Sequence, residues 1–289
     1  MLSIVKVGAG VAVAGVVTVL FVRHRMIRRK PKRPLKPDWQ PDMVYLYQAP
    51  PSPKLPTISP FSLKLETWLR MNKIPYQNVP ISPGLFSKEG QIPYIEFNGE
   101  EYCDSRFIID FLVKKFDVKS ELTTGQKAIA RAFEQMLENV TFWSYCQIRY
   151  IEKMDEFFCE KALGWGMSGF KMMLVRFFLS RGMKTKLHWH GIGRHGRDDV
   201  IKIGLEDLAA LSEFLQDKAY FFGDEPSDLD AVSFGLLVQI LYFPIDTPHR
   251  QLILKKYPNL ARHTERIRCE FWQDWDTVYQ NYPWNEQIR

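Results

Sequence analysis

Apolar positions along this chain change their period near residue 120, and that change divides the molecule. Before it, Val44-Tyr45-Leu46-Tyr47 is a short aromatic and β-branched run that predicts a strand. Asn98-Gly99 is a hairpin signal, and after it Phe107, Ile108, Phe111 and Leu112 recur at helical spacing behind Asp104-Ser105. From Thr123 onward the pattern is helical throughout. Ala128, Ala132, Met136, Val140 and Trp143 predict a long helix over about residues 124–161, with room for a break. Its aromatic residues Phe133, Phe142, Trp143, Tyr145 and Tyr150 read first as core, with a lining role as the alternative. A second apolar and basic segment, 166–182, is too short to span a bilayer and reads as a buried or membrane-touching helix. Residues 184–197 read as a loop, and Ser227-x-x-Asp230 is a capping box opening a buried helix over 229–241. The pattern thus predicts an α/β unit followed by an all-α unit.

The N-terminus adds a further element. Val7 to Val22 is uncharged and rich in Val, Ala and Gly, and Arg23, Arg25, Arg28, Arg29, Lys30, Lys32, Arg33 and Lys36 follow it. As a helix this run would span about 24 Å, short of a ~30 Å hydrocarbon core but extendable by snorkelling of Lys6 and Arg23. The basic cluster lies after the apolar run and no Ala-x-Ala site precedes it, which favours an uncleaved transmembrane helix over a secretory signal. The positive-inside tendency then places the folded part in the cytosol, on a thin membrane such as the mitochondrial outer membrane or another endomembrane. The expected divisions are 1–36 for the anchor and its basic flank, 37–42 for a linker, 43–120 for the α/β domain and 121–289 for the helical domain. Nine prolines from Pro31 to Pro60 resist helix and sheet, first as a tether and then as an insertion, 49–53, in the loop after the first strand.

Charge and cysteines narrow the picture. The net charge is +6, but residues 1–37 hold nine Lys/Arg and no Asp/Glu, so the remainder stands at 6 − 9 = −3 and offers nucleic acid no electrostatic footing. Cys103, Cys146, Cys159 and Cys269 are scattered, without a Cys-x-x-Cys pair, which fits a reducing compartment.

Three short pieces carry candidate chemistry. Ser59-Pro60-Phe61-Ser62 follows the first strand and has the layout of a Cys-Pro-Phe-Cys redox loop with both thiols replaced by hydroxyls, so disulfide exchange is excluded there. Ile92-Pro93 stands before a strand, where a thioredoxin-like domain places a cis proline whose preceding residue pairs with a peptide ligand. Asp104-Ser105 begins a helix, and such a pair suits a ligand's ammonium and carboxylate, the latter helped by the positive helix end. Taken singly, Asp104-Ser105 is more often an N-cap. Gly191-x-Gly193-x-x-Gly196 has dinucleotide spacing but no strand before it. His188 and His190 flank Trp189 without a nearby Cys or carboxylate, so no metal site is assigned.

With these residues in view, the chain resembles the glutathione S-transferase superfamily, and within it the failed axon connections and metaxin-like branch with its cadmium-responsive relatives. The resemblance rests on Ser-Pro-Phe-Ser-Leu-Lys-Leu-Glu-Thr-Trp-Leu-Arg-Met (59–71), Ile-Pro-Tyr-Ile (92–95), Asp-Ser (104–105), Gly-Ile-Gly-Arg-His (191–195) and Phe-Gly-Asp-Glu-Pro-Ser-Asp-Leu-Asp-Ala (222–231), and covers roughly 43–280. It implies a thioredoxin-like N-terminal domain and a helical transferase-type second domain. It also implies glutathione as ligand, held by Ile92, Pro93, Asp104 and Ser105, with Ser59 as the catalytic hydroxyl that stabilises the thiolate. Two functions remain open on this reading. One is a membrane-anchored transferase conjugating electrophiles or metal-stress products. The other is an inactive adaptor acting through a protein partner or a homodimer, in transport or neuronal development.

Overall fold

The computed structural model describes residues 36–81, 87–167 and 169–282. Its first unit is a four-stranded sheet of β1 (Val44–Gln48), β2 (Tyr76–Pro80), β3 (Tyr94–Phe97) and β4 (Glu100–Cys103), in the order β2-β1-β3-β4. β1 and β2 are parallel, and the other two pairings are antiparallel. The parallel pair needs a crossover, which α1 (Pro60–Met71) supplies. The antiparallel pair β3 and β4 needs only a tight turn, where Asn98 and Gly99 both take positive φ, 49° and 78°. α2 (Ser105–Phe116) follows β4.

Both faces of the sheet are covered, which is why β1 reads as an unbroken apolar run. Val44, Leu46, Ile95 and Phe97 pack against Leu65, Trp68 and Leu69 of α1 and Ile108 and Leu112 of α2. Tyr45, Tyr47, Tyr94 and Cys103 face the other way, where Trp39, Met43 and Ile92 lie on them. The Lys36 amide donates to Glu96 Oε2 at 2.9 Å and the Gln40 amide to the Tyr45 hydroxyl at 2.7 Å, so the stretch before β1 is held against this face.

The helical unit begins with α3 (Thr124–Met136), but the expected helix over 124–161 is interrupted. Two π-helical stretches, Leu137–Thr141 and Gln147–Glu152, flank α4 (Phe142–Cys146), and the short helices α5 (Met154–Phe157) and α6 (Glu160–Leu163) follow. Each π stretch rotates the side chains after it relative to an α-helix. α7 (Gly169–His190) replaces both the shorter predicted helix and most of the predicted loop, because it runs straight through Gly182. An interior glycine costs about 1 kcal/mol, less than burial of Met172, Met183 and Leu187 returns. α8 (Arg197–Leu215), α9 (Asp228–Leu241), α10 (Pro248–Lys256) and α11 (Pro258–Phe271) complete the unit.

α9 is its axis, with every residue from Leu229 to Leu241 buried. Its start is fixed by the predicted box. Asp230 Oδ2 accepts from the Ser227 amide at 2.8 Å and hydroxyl at 2.6 Å, while Oδ1 accepts from the Phe221 amide at 3.1 Å and His263 Nε2 at 2.8 Å. A Cβ on Gly235 would stand 2.5 Å from the Pro60 carbonyl oxygen, so only glycine lets α9 lie against the first turn of α1. Polar links join the units beside that contact. Lys64 Nζ is 3.0 Å from Glu134 and 2.8 Å from Glu138, and Trp68 Nε1 donates to Asp228 at 2.8 Å.

The transmembrane expectation is corrected. No helix among the described residues is long and apolar enough to cross a membrane. α7 has the length, at 22 residues, but Lys171, Arg176, Arg181, Lys184 and Lys186 interrupt it. The anchor read over Val7 to Val22 lies outside the described residues. The fold class is therefore the thioredoxin-like sheet unit with its helical partner, and the single-pass, cytosol-facing localisation is withdrawn with the anchor.

Candidate functional site

The loop from β1 to α1 ends where the helical unit reaches across to hold it. Gln239 Nε2 of α9 donates to the Thr57 carbonyl at 3.0 Å, and Arg149 Nη2 donates to the Ile58 carbonyl at 2.8 Å. Arg149 is fully buried, with its guanidinium 4.0 Å from the Phe157 ring centre, so aromatic faces and carbonyl oxygens surround the cation. Ser59 then caps α1. Its φ and ψ are −99° and 120°, and its hydroxyl accepts from the Ser62 amide at 3.3 Å.

The other two pieces come from the far side of the sheet. Ile92-Pro93 is a cis peptide bond leading into β3. Asp104 sits between β4 and α2 at φ 67°, an uncommon conformation for a residue with a side chain, and its Oδ1 accepts from the Arg106 amide at 2.9 Å. Ser105, behind it, is buried.

Ile92, Pro93, Asp104 and Ser105 line one cleft of about 1000 Å³ between the units. Phe61, one residue inside α1, lines it as well, but Ser59 is not among the lining residues. The opposite wall is aromatic and apolar, built by Phe142, Trp143 and Tyr150 from the π-interrupted segment and by Leu179, Met183 and Trp189 from α7. The expected core role of the aromatics thus divides. Tyr145 is buried in the core and Phe133 packs against it, while Phe142, Trp143 and Tyr150 pack against core clusters on one side and line the cleft on the other.

A charged group closes the end near α1. Glu134 is approached by Lys64 at 3.0 Å, Arg106 at 2.6 Å and Arg131 at 2.8 Å. Burial favours its neutral form, but Lys64 and the two arginines outweigh that and hold its carboxyl below the usual range. Glu138, which lines the cleft, goes the other way. Burial lifts its pKa and Lys64 only partly opposes it. These partners are 70 and 74 residues from Lys64, so nothing local in the sequence announces them. Phe61 was within reach of sequence reasoning, since it follows the N1 proline in the first turn of the helix.

His188 and His190 lie on the last turn of α7, where His190 stacks on Trp143 with ring centres 5.0 Å apart. Among the described residues no group of three His, Cys, Asp or Glu side chains is placed to hold a metal ion. All four cysteines are free. Burial pushes the Cys103 thiol up to about 11, so it is no thiolate near neutral pH.

Comparison with known proteins gives a consistent placement. Residues 60–156 match the family described as Glutathione S-transferase N-terminal domain, and residues 204–267 match Glutathione S-transferase, C-terminal domain. The chain is 37% identical over 269 residues to Failed axon connections of Drosophila melanogaster, covering 88% of this chain and 64% of that protein, so it spans less than two thirds of that relative's length. It is 28% identical over 249 residues to the Isoprene-epoxide--glutathione S-transferase of Rhodococcus sp. (strain AD45), covering 79% and 99% of the two chains. Similarity to Metaxin-2 of Mus musculus is 24% over 221 residues, covering 74% of this chain and 82% of that one.

Proposed function

This chain belongs to the failed axon connections and metaxin-like family of the glutathione S-transferase superfamily, and from that membership we propose that its cleft binds glutathione and presents the thiol to an apolar electrophile. The observation that carries the reading is the convergence of Ile92-Pro93 and Asp104-Ser105 on a cleft whose far wall is aromatic. In this arrangement the backbone at Ile92 pairs with the tripeptide, Asp104 takes its ammonium, and the Ser105 hydroxyl at the positive end of α2 takes a carboxylate. The thiol then lies toward the start of α1, where the helix end and the Ser59 hydroxyl favour the thiolate. Phe142, Trp143 and Tyr150 receive the electrophile. Similarity to an epoxide-conjugating transferase over nearly its whole length supports a small apolar substrate.

A second reading is an adaptor with a ligand pocket and no turnover. One observation favours it. The Ser59 hydroxyl already accepts the Ser62 amide, and Ser59 does not line the cleft.

Calorimetry with glutathione and a transferase assay with a generic aromatic electrophile separate the two. Ser105→Ala should weaken glutathione binding roughly tenfold to a hundredfold, the value of a lost hydrogen bond to a charged group. Ser59→Ala should leave affinity nearly intact and abolish turnover, because its hydroxyl serves the developing thiolate. Binding without turnover in the unmodified chain gives the adaptor reading, and absence of binding removes both uses of glutathione.

A further inference from the structure

α7 has two apolar stripes and uses one. Met172, Met183 and Leu187 are buried against the rest of the helical unit, with Leu179 partly so. Phe170, Met173, Leu174, Phe177 and Phe178 recur at helical spacing on the opposite side and are exposed by 67%, 54%, 40%, 60% and 60%. Large aromatic side chains grouped in this way, unlike single exposed apolar residues, mark an interaction surface. One turn further along the same outward face lie Arg181 and Lys184, both exposed.

The charge around this stripe identifies its partner. From 161 to 197 the chain has Lys161, Lys171, Arg176, Arg181, Lys184, Lys186, Arg194 and Arg197 and no Asp or Glu. Arg176 pairs with Asp155 and Arg197 with Glu152 and Asp198, while Arg181, Lys184 and Lys186 have no carboxylate within ion-pairing distance among the described residues. A second copy of α7 would bring like charge against like charge. The chain's own residues 1–35 also lack Asp and Glu, so they too are of the wrong sign. The stripe lies on one convex helix and not in a groove, as suits a flat partner. α7 also cannot span a bilayer. We propose that α7 lies flat on an anionic lipid surface, with Phe170, Met173, Leu174, Phe177 and Phe178 entering the headgroup boundary and Arg181 and Lys184 meeting the lipid charge. The contact is peripheral, uses residues 170–184 alone and is independent of the glutathione reading.

The test uses the full chain with vesicles of phosphatidylcholine alone or mixed with phosphatidylserine, read by co-sedimentation and by hydrogen exchange of residues 169–181. Binding to the phosphatidylserine vesicles should slow exchange in that segment. In a Phe177→Asp/Phe178→Asp variant and in an Arg181→Glu/Lys184→Glu variant the lipid concentration that protects 169–181 should rise roughly tenfold or more, with unchanged thermal unfolding because the altered side chains face outward. Any vesicle binding through residues 1–35 is common to all three proteins and does not protect 169–181, so the local readout isolates α7. Unchanged exchange in 169–181 with lipid, or protection of 169–181 in either variant equal to that in the unmodified chain, overturns the proposal. So does equal protection by polyglutamate without lipid, which would assign the face to an acidic protein, or by self-association without lipid, which would assign it to a second copy.

Discussion

α7 and α9 are both rich in apolar residues, yet α9 is buried at every position from Leu229 to Leu241 while α7 buries three side chains. Apolar content does not separate them, since α7 exposes six large apolar side chains, the five of the outward stripe and Trp189, of a kind that α9 encloses. Charge separates them. α9 carries Asp228 and Asp230 in its first turn, where the helix end and the cap satisfy them, and no Lys or Arg. α7 carries basic residues along its length, and no described carboxylate is within ion-pairing distance of Arg181, Lys184 or Lys186. Enclosing α7 would strip water from unpaired cations, at a cost of several kcal/mol each, whereas enclosing α9 strips water from hydrocarbon. One glycine completes the contrast, because Gly235 brings α9 to backbone distance of α1 and so connects core packing to the cleft.

The largest expected effect is on the enclosed side. Phe234 is fully buried in the cluster shared with Phe157, Phe243 and Trp272. Phe234→Ala should cost about 3–5 kcal/mol, through lost transfer energy and the cavity left behind. Urea unfolding measures this, and a loss below about 1 kcal/mol would mean that α9 is not the enclosed axis.

Acid should act on the same side. His249 of α10 is buried beside Ser144, whose Oγ lies 3.0 Å from Nε2, and burial drives its pKa from 6.5 down to about 4. The unfolded chain therefore binds a proton between those values that the folded chain does not. Stability is full above pH 6.5 and falls as pH drops toward 4, by about 3 kcal/mol in total from this group. The difference between the unmodified chain and His249→Gln isolates the effect from the titrating carboxylates. A difference that does not vary with pH across that window would show that His249 is not held neutral.

A smaller effect tests whether α9 sets the position of α1. The Gly235→Ala methyl meets the Pro60 carbonyl and the Lys64 backbone, neither of which swings aside as a flexible side chain would. The cost should be about 1–3 kcal/mol, and glutathione affinity should change with it if the proposed site includes the start of α1. Stability lost with affinity unchanged would separate the α9 contact from the cleft.

The same distinction explains what could be read from the residues alone. The β1 run, the Asn98-Gly99 turn, the Ser59 cap and the Ser227-Asp230 box are local, and their side-chain or backbone preferences act within a few positions. The sheet unit and the existence of helices after residue 123 followed from them. The ends of α7 did not, because Gly182 is a helix-stopping signal that tertiary burial of Met183 and Leu187 overrides. Nor did the π stretches, which have no period of their own to detect. In the candidate site, Ile92, Pro93, Asp104 and Ser105 were legible as loop and cap chemistry, and they meet in the cleft. Glu134, Arg106, Arg131 and Lys64 were not, since each is an ordinary charged residue until the fold brings it to the others.

The smallest expected effect is the sharpest test of the contrast between the two helices. Phe177 makes a ring contact with Phe178, with centres 5.4 Å apart, and is 60% exposed. Replacing it by alanine leaves no cavity, removes no buried hydrogen bond and improves helix propensity, so Phe177→Ala should change unfolding stability by no more than about 0.5 kcal/mol in either direction. Set beside Phe234→Ala, the same deletion of a phenyl ring then differs several-fold in cost between two apolar helices of one domain. If Phe177→Ala instead destabilises the isolated chain by more than about 1 kcal/mol, the outward stripe is covered in solution without lipid, and charge would no longer explain why α7 and α9 differ.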